Sequence, residues 1–193
     1  MDIKTIILRA TEMSHLLLAL AVKEGDTVVD ATAGKGRDTC FLAALVRQSG
    51  HVWAFDVQKM ACLATQSALI AQGLEEQASV ICDDHANLAN YDTGELAAAI
   101  FNLGWLPDGD HNIVSCAGST VKALEAILSR LRVGGVIIVV AYNGHEAGAE
   151  ELAVLREWYT ALSCNDTEVM EVSYPAKDHA PCIIVIEKRD KGV

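Results

Sequence analysis

The segment Thr27-Val28-Val29-Asp30-Ala31-Thr32-Ala33-Gly34-Lys35-Gly36-Arg37-Asp38-Thr39 constrains the fold more than any other. Val28 and Val29 are β-branched and apolar, which suits a central parallel strand buried on both faces. Gly34 and Gly36 supply the backbone freedom and the close approach that a bound ligand needs. A helix opening near Arg37 presents unpaired N–H groups to whatever occupies that turn. A second apparent strand, Val52-Trp53-Ala54-Phe55, ends in Asp56, whose carboxylate can accept both hydroxyls of a ribose. Together the glycine turn and the acidic strand end point to a nucleoside-containing cofactor.

Strand-like and helix-like segments alternate along the rest of the chain, the pattern of an α/β fold with a mostly parallel sheet. A helix is expected near 3–22, strands near 26–31, 51–56, 78–82, 97–101 and 135–141, and helices near 37–48, 59–72, 117–131 and 147–162. Two last strands, near 167–174 and 181–187, are joined too closely for a right-handed parallel crossover, so that pair is antiparallel. The 193 residues are expected to form one domain spanning 1–193, large enough for its own core. No repeat, low-complexity tract or linker divides it, and Lys188-Arg189-Asp190-Lys191-Gly192 reads as a frayed tail.

Composition narrows the setting. No apolar run approaches the ~18–20 residues of a membrane span. Leu16-Leu17-Leu18-Ala19-Leu20 sits in a stretch interrupted by Asp2, Glu12 and His15 with no cleavage site after it, so no signal peptide is expected. Six cysteines include no C-x-x-C pair, which points away from zinc and redox sites and towards reduced, buried side chains in a cytoplasmic protein. The net charge of −11, without any Lys/Arg cluster, argues against a large nucleic-acid footprint but not a small one.

The glycines separate two cofactor classes. A dinucleotide site prefers G-x-G-x-x-G/A, whereas here Thr39 stands at the third position. The apolar-apolar-Asp start followed by A-x-A-G-x-G looks like the first motif of S-adenosylmethionine (SAM) methyltransferases. Ligands of open parallel sheets bind beyond the carboxyl ends of the strands, so each strand end offers candidates. Asp30 can orient the glycine loop or reach the cofactor's amino group through water. Gly34 and Lys35 line the loop by their backbone, the Lys35 side chain pointing to solvent. Asp38 suits the positive end of a helix dipole. Gln58 can reach the adenine or ribose edge. In Cys82-Asp83-Asp84-His85 either aspartate can accept the adenine amine, and His85 either contacts the ligand or caps a short helix.

The fourth strand runs into Asn102-Leu103-Gly104-Trp105-Leu106-Pro107-Asp108-Gly109-Asp110. A polar residue, a tight turn and an aromatic form the acceptor site in amine methyltransferases. Asn102 and turn carbonyls would accept hydrogen bonds from the target nitrogen and aim its lone pair. Displacement at a sulfonium methyl needs alignment more than acid catalysis, so a neutral Asn is adequate. Trp105 can stack on a planar base or face a cation. Beyond the fifth strand, Tyr142 and His145 can hold a substrate or remove a proton near neutral pH. His15 and the loop Tyr174-Pro175-Ala176-Lys177-Asp178-His179-Ala180-Pro181 are candidates to close over the site.

These motifs together resemble the bacterial family labelled putative rRNA methylases, from Ser14-His15 to Ile186-Glu187-Lys188. The carrying segments are 29–39, Phe55-Asp56-Val57-Gln58, Phe101-Asn102-Leu103-Gly104-Trp105-Leu106-Pro107-Asp108-Gly109-Asp110 and Tyr142-Asn143-Gly144-His145. The resemblance implies a Rossmann-like class I methyltransferase using SAM, with a seven-stranded, mostly parallel sheet, an antiparallel last strand and helices on both faces. It implies methylation of the 5-aminomethyl group of modified 2-thiouridine at the tRNA wobble position, with Gly36, Asp38, Asp56, Gln58, Asp84 and His85 around the cofactor. Asn102, Trp105, Asp110, Tyr142 and His145 would face the substrate, and Lys177 is a further substrate-binding candidate. There are three departures from the family pattern: Lys35 and Trp105 stand where Asn and Tyr are usual, and Lys177-Asp178 where asparagines are. An acidic protein that binds tRNA needs either dimerisation or a few well-placed cations, for which Arg37, Lys122 and Lys177 are candidates. The alternatives are methylation of a small amine or a protein side chain, or SAM binding without catalysis. An NAD enzyme is disfavoured by Thr39 and the antiparallel final pair.

Overall fold

The computed structural model describes residues 7–104, 117–142, 144, 146–162, 164–178 and 180–190. Trp105, Asp110 and His145 lie outside them. Helix α1 (Ala10–Ala21) leads into β1 (Thr27–Asp30), α2 (Arg37–Val46), β2 (His51–Phe55), α3 (Lys59–Gln72) and β3 (Ala78–Ile81). After a 3-10 segment at His85–Asn90 come β4 (Leu96–Leu103), α4 (Ala117–Arg130), β5 (Leu131–Ala141), α5 (Glu146–Thr160), β6 (Thr167–Val172) and β7 (Cys182–Lys188). The seven strands form one sheet in the order β3-β2-β1-β4-β5-β7-β6. β1 to β5 pair in parallel, and β7 runs antiparallel to both β5 and β6.

Both faces of the sheet are covered, because successive strand residues point to opposite sides. Val28, Val52, Ile100 and Val140 pack against α1 and α2 through Leu18, Leu42 and Val46. Val29, Phe55, Phe101 and Val139 face α4 and α5 through Leu124, Ile127, Leu152 and Leu155. Continuous apolar runs, rather than alternation, follow from this double burial. The order also places β1 between β2 and β4, where the direction of winding reverses. That switch point opens a crevice at the carboxyl ends of the strands.

Several boundaries differ from the sequence expectation. Helix α1 starts at Ala10 rather than near residue 3, where the Arg9 N–H donates to the Glu12 carboxylate at 2.9 Å and closes the first turn. β5 starts at Leu131, paired with Leu96 across a register shift, rather than at 135. Gly135 permits that irregularity: a Cβ there would lie 2.8 Å from Leu131 Cγ and 2.9 Å from the Ala97 carbonyl. β6 stops at Val172, and Tyr174 turns away to donate from its hydroxyl to Leu8 O at 2.7 Å. The start of the supposed tail is tied down, since Lys188 belongs to β7 and the Arg189 guanidinium pairs with Glu168 and Glu187; Lys191 and Gly192 lie outside the described residues. Cys40, Cys62 and Cys182 are buried thiols, but Cys82 and Cys164 are exposed because they sit just outside regular elements. Among the described residues no helix is long and apolar enough to cross a membrane, and no His/Cys/Asp/Glu group could hold a metal ion.

Candidate active site

The loop between β1 and α2 is built from below by Asp30. This residue is fully buried, and its two oxygens accept the Thr32 N–H at 3.1 Å and the Thr39 hydroxyl at 2.6 Å. Asp30 thereby ties the end of the strand to the start of the helix. Burial, together with the Asp38 charge, pushes its carboxyl up to about 7, while the bonds from Thr39 and Thr32 pull the other way. Thr39, at the place of the third dinucleotide glycine, fastens helix to strand by its hydroxyl instead of by close packing.

Gly36 is needed for contact within the chain. It caps α2 at φ +79, and a Cβ there would lie 2.9 Å from Thr65 Cα and 3.2 Å from Ala68 Cβ on α3. The close approach expected at this glycine is thus made to α3 by the backbone of the chain itself. The Thr65 hydroxyl donates to Gly34 O at 3.2 Å, holding the loop to the same helix. The Lys35 side chain is exposed.

Asp56 sits at the end of β2 and grips the loop from the other side. One oxygen accepts the Gly34 N–H and the other the Gln58 N–H, both at 2.9 Å. A carboxylate offers about four acceptor directions, so further hydroxyl donors still fit. Gln58 caps α3, half-buried beside it.

Beyond β3 the two aspartates divide their work. Asp83 accepts the Asp84 N–H, the Asn87 amide and the Tyr91 hydroxyl, and these bonds hold its carboxyl below the usual range. Asp84 caps the 3-10 segment through the Ala86 N–H at 2.8 Å on one oxygen only. Asp84 is therefore the aspartate with acceptor capacity to spare, and it, rather than His85, makes the cap. His85 donates from Nδ1 to Ala31 O at 3.0 Å and meets Phe101 edge-on. Its Nε2 is buried with no hydrogen-bond partner, 3.9 Å from Asp84 Oδ1. Burial lowers the pKa of this imidazole, which keeps it neutral and leaves Nε2 as an acceptor.

Across the switch point, Asn102 near the end of β4 gives its N–H to the Thr32 hydroxyl at 2.7 Å. Its side-chain NH2 donates to Asp38, which His15 Nε2 also meets at 2.6 Å. Tyr142 is 40% exposed at the neighbouring end of β5, its ring lying over Gly104. Thus Asp30, Gly34, Gly36, Asp38, Asp56, Gln58, Asp84, His85, Asn102 and Tyr142 all stand at one edge of the sheet. Lys177 is exposed in the loop joining β6 and β7. Thr32, Thr39 and Thr65 were given no role by the sequence, although the first two lie inside the glycine motif. Their hydroxyls register the loop against β1, β4 and α3, and only the hydrogen bonds reveal this.

Comparison with known proteins shows the family. Residues 52–188 match the family described as "Putative rRNA methylase". A tRNA (mnm(5)s(2)U34)-methyltransferase, chloroplastic, from Arabidopsis thaliana is 33% identical over 94% of this chain and 70% of its own length. A putative rRNA-methylase from Clostridium thermocellum superposes with a TM-score of 0.93 at 37% identity, over 95% of this chain and all of that one. A putative methyltransferase from Streptococcus mutans in complex with SAH gives 0.86 at 30% identity, over 95% and 99% of the two chains. The chain belongs to the putative rRNA methylase family and is an S-adenosylmethionine-dependent methyltransferase.

Proposed function

We propose that the protein methylates the 5-aminomethyl nitrogen of modified 2-thiouridine at the tRNA wobble position. The observation that carries this reading is the placement of Asn102. Its backbone is pinned to the glycine loop by Thr32, and it stands near the end of β4, the strand next to β1 at the switch point. A carboxamide oxygen there accepts an N–H and aims an amine lone pair, a service that a carbon nucleophile does not call for. The similarity to the Arabidopsis wobble-uridine methyltransferase over nearly the whole chain supports the choice of acceptor.

The residues at the edge fit the cofactor. Asp56 suits ribose hydroxyls, and Asp84 the adenine amine. The orphaned Nε2 of His85 calls for a donor such as a hydroxyl or amine beside Asp84. When bound, SAM supplies an electrophilic methyl group. The chain's own work is alignment: Asn102 orients the amine, which has given up one proton, and the loop 31–36 fixes the methyl donor opposite it.

Removing the gene should replace the methylaminomethyl wobble nucleoside by its unmethylated aminomethyl precursor in tRNA digests. The wild-type gene should restore the product and the Asn102→Ala gene should not. Unchanged nucleoside spectra on deletion would contradict the proposal. The net charge of −11 favours one other reading, methylation of a small amine. Transfer to a free amine with none to tRNA would select it.

A further inference from the structure

Asp38 occupies the second position of α2 and is 8% exposed. Its partners come from two distant parts of the chain. Oδ1 faces His15 Nε2 on α1 at 2.6 Å, and Oδ2 accepts the side-chain NH2 of Asn102 on β4. An ionised carboxylate only accepts, so both neighbours must present N–H groups to it. That settles which way the Asn102 carboxamide is turned. Its NH2 is spent on Asp38, and its oxygen is directed elsewhere. The His15 ring is in turn clamped flat on Phe41, with centroids 3.9 Å apart and planes at 5°. The row Phe41–His15–Asp38–Asn102 thus joins two helices to the strand end where the acceptor is read.

We infer that Asp38 and His15 are positioning residues for methyl acceptance. Asp38, braced by His15, locks the Asn102 carboxamide with its oxygen towards the incoming amine, an inference that rests on the amine reading of the site. A flipped carboxamide would offer a donor to the nucleophile's lone pair and draw it away from the methyl group. Asp38 therefore serves the acceptor side of the site. No proton passes along the row; its task is orientation.

A double-mutant cycle separates this role from general support of the fold. Asp38→Asn should lower kcat on tRNA by about 10- to 100-fold while the Kd for SAM stays within about 3-fold, because the lost interaction aligns the nucleophile. In an Asn102→Ala background the same substitution should change kcat by less than about 3-fold, since the two residues act as a unit. Equal losses in both backgrounds would overturn the inference. His15→Phe keeps the ring against Phe41 but loses the donor and should reduce kcat, whereas His15→Gln should regain part of it; identical behaviour of the two would also count against it. A readout without catalysis uses protein labelled with 15N-asparagine. The side-chain amide resonance missing in Asn102→Ala should exchange slowly with solvent in wild type and quickly in Asp38→Ser. An unmoved resonance would refute the orientation. A resonance that moves, with no methyl transfer to tRNA by wild type, would refute the wobble substrate and leave the orientation standing.

Discussion

At the scale of single residues, the site depends on short polar side chains that hold one another. Asn102 is the residue expected to touch the acceptor, so Asn102→Ala should cut kcat by about 100-fold with little change in SAM affinity, since the loss is one of alignment. Stopped single-turnover assays with saturating SAM would show it; an unchanged rate would remove Asn102 from the reaction. Gly36 is expected to fail differently. Gly36→Ala puts a side chain at φ +79 and only 2.9 Å from Thr65 Cα, which should cost about 1–3 kcal/mol and lower Tm by several degrees. Thermal unfolding without ligand is the check. The glycine was legible in the sequence, but its reason was not. The motif suggested room for a ligand, whereas the structure shows a helix crossing directly above. Likewise the choice between Asp83 and Asp84 was closed to the sequence, because it is made by Asn87 and Tyr91 consuming Asp83.

At the scale of elements, the apolar periods marked every strand and helix, and α3 begins and ends at the expected residues 59 and 72. Boundaries drifted where side chains or pairing decide them, as at Glu12 for α1 and Leu96 for β5. Two element joints lend themselves to tests. Arg130, ending α4, donates to the carbonyls of Tyr91 at 2.7 Å and Ala89 at 2.9 Å, and so holds the 3-10 segment that carries Asp84 and His85. Arg130→Ala should therefore weaken SAM binding several-fold by titration calorimetry, as well as costing about 1–3 kcal/mol of stability. The second joint is Asp30 between β1 and α2. Its folded-state pKa of about 7 lies above the ordinary 3.8, so the folded protein holds a proton that the unfolded chain releases. Stability from this group is full below about pH 4 and is lost as pH rises through about 7. Asp30→Asn should flatten that decline relative to wild type in denaturant titrations across the interval. A decline of equal slope in both proteins would show that Asp30 ionises as freely in the folded chain as in the unfolded one.

At the scale of the whole molecule, the winding order gathers residues from distant parts of the sequence at one crevice. His15 lies 23 residues from Asp38, and Asn102 lies 64 from it. Separation of that size explains why the strand ends could be nominated from the sequence while the hydrogen-bonded row through them could not. The same scale bears on the acidic charge. Arg37 opens α2 beside the glycine loop and is exposed, placing a cation at the rim of a site on a chain of net charge −11. Arg37→Gln should raise KM for tRNA several-fold and flatten its dependence on salt by about one phosphate contact. Steady-state assays at two salt concentrations would measure both effects, and an unchanged slope would exclude Arg37 from the RNA contact.

The most direct measurement combines purified protein, methyl-labelled SAM and tRNA from a strain lacking the gene, followed by digestion and mass spectrometry of the nucleosides. Label on the aminomethyl nitrogen of the wobble 2-thiouridine, absent with Asn102→Ala, is the predicted result. Label on any other nucleoside, or none on tRNA while SAM binds, would contradict the proposed substrate.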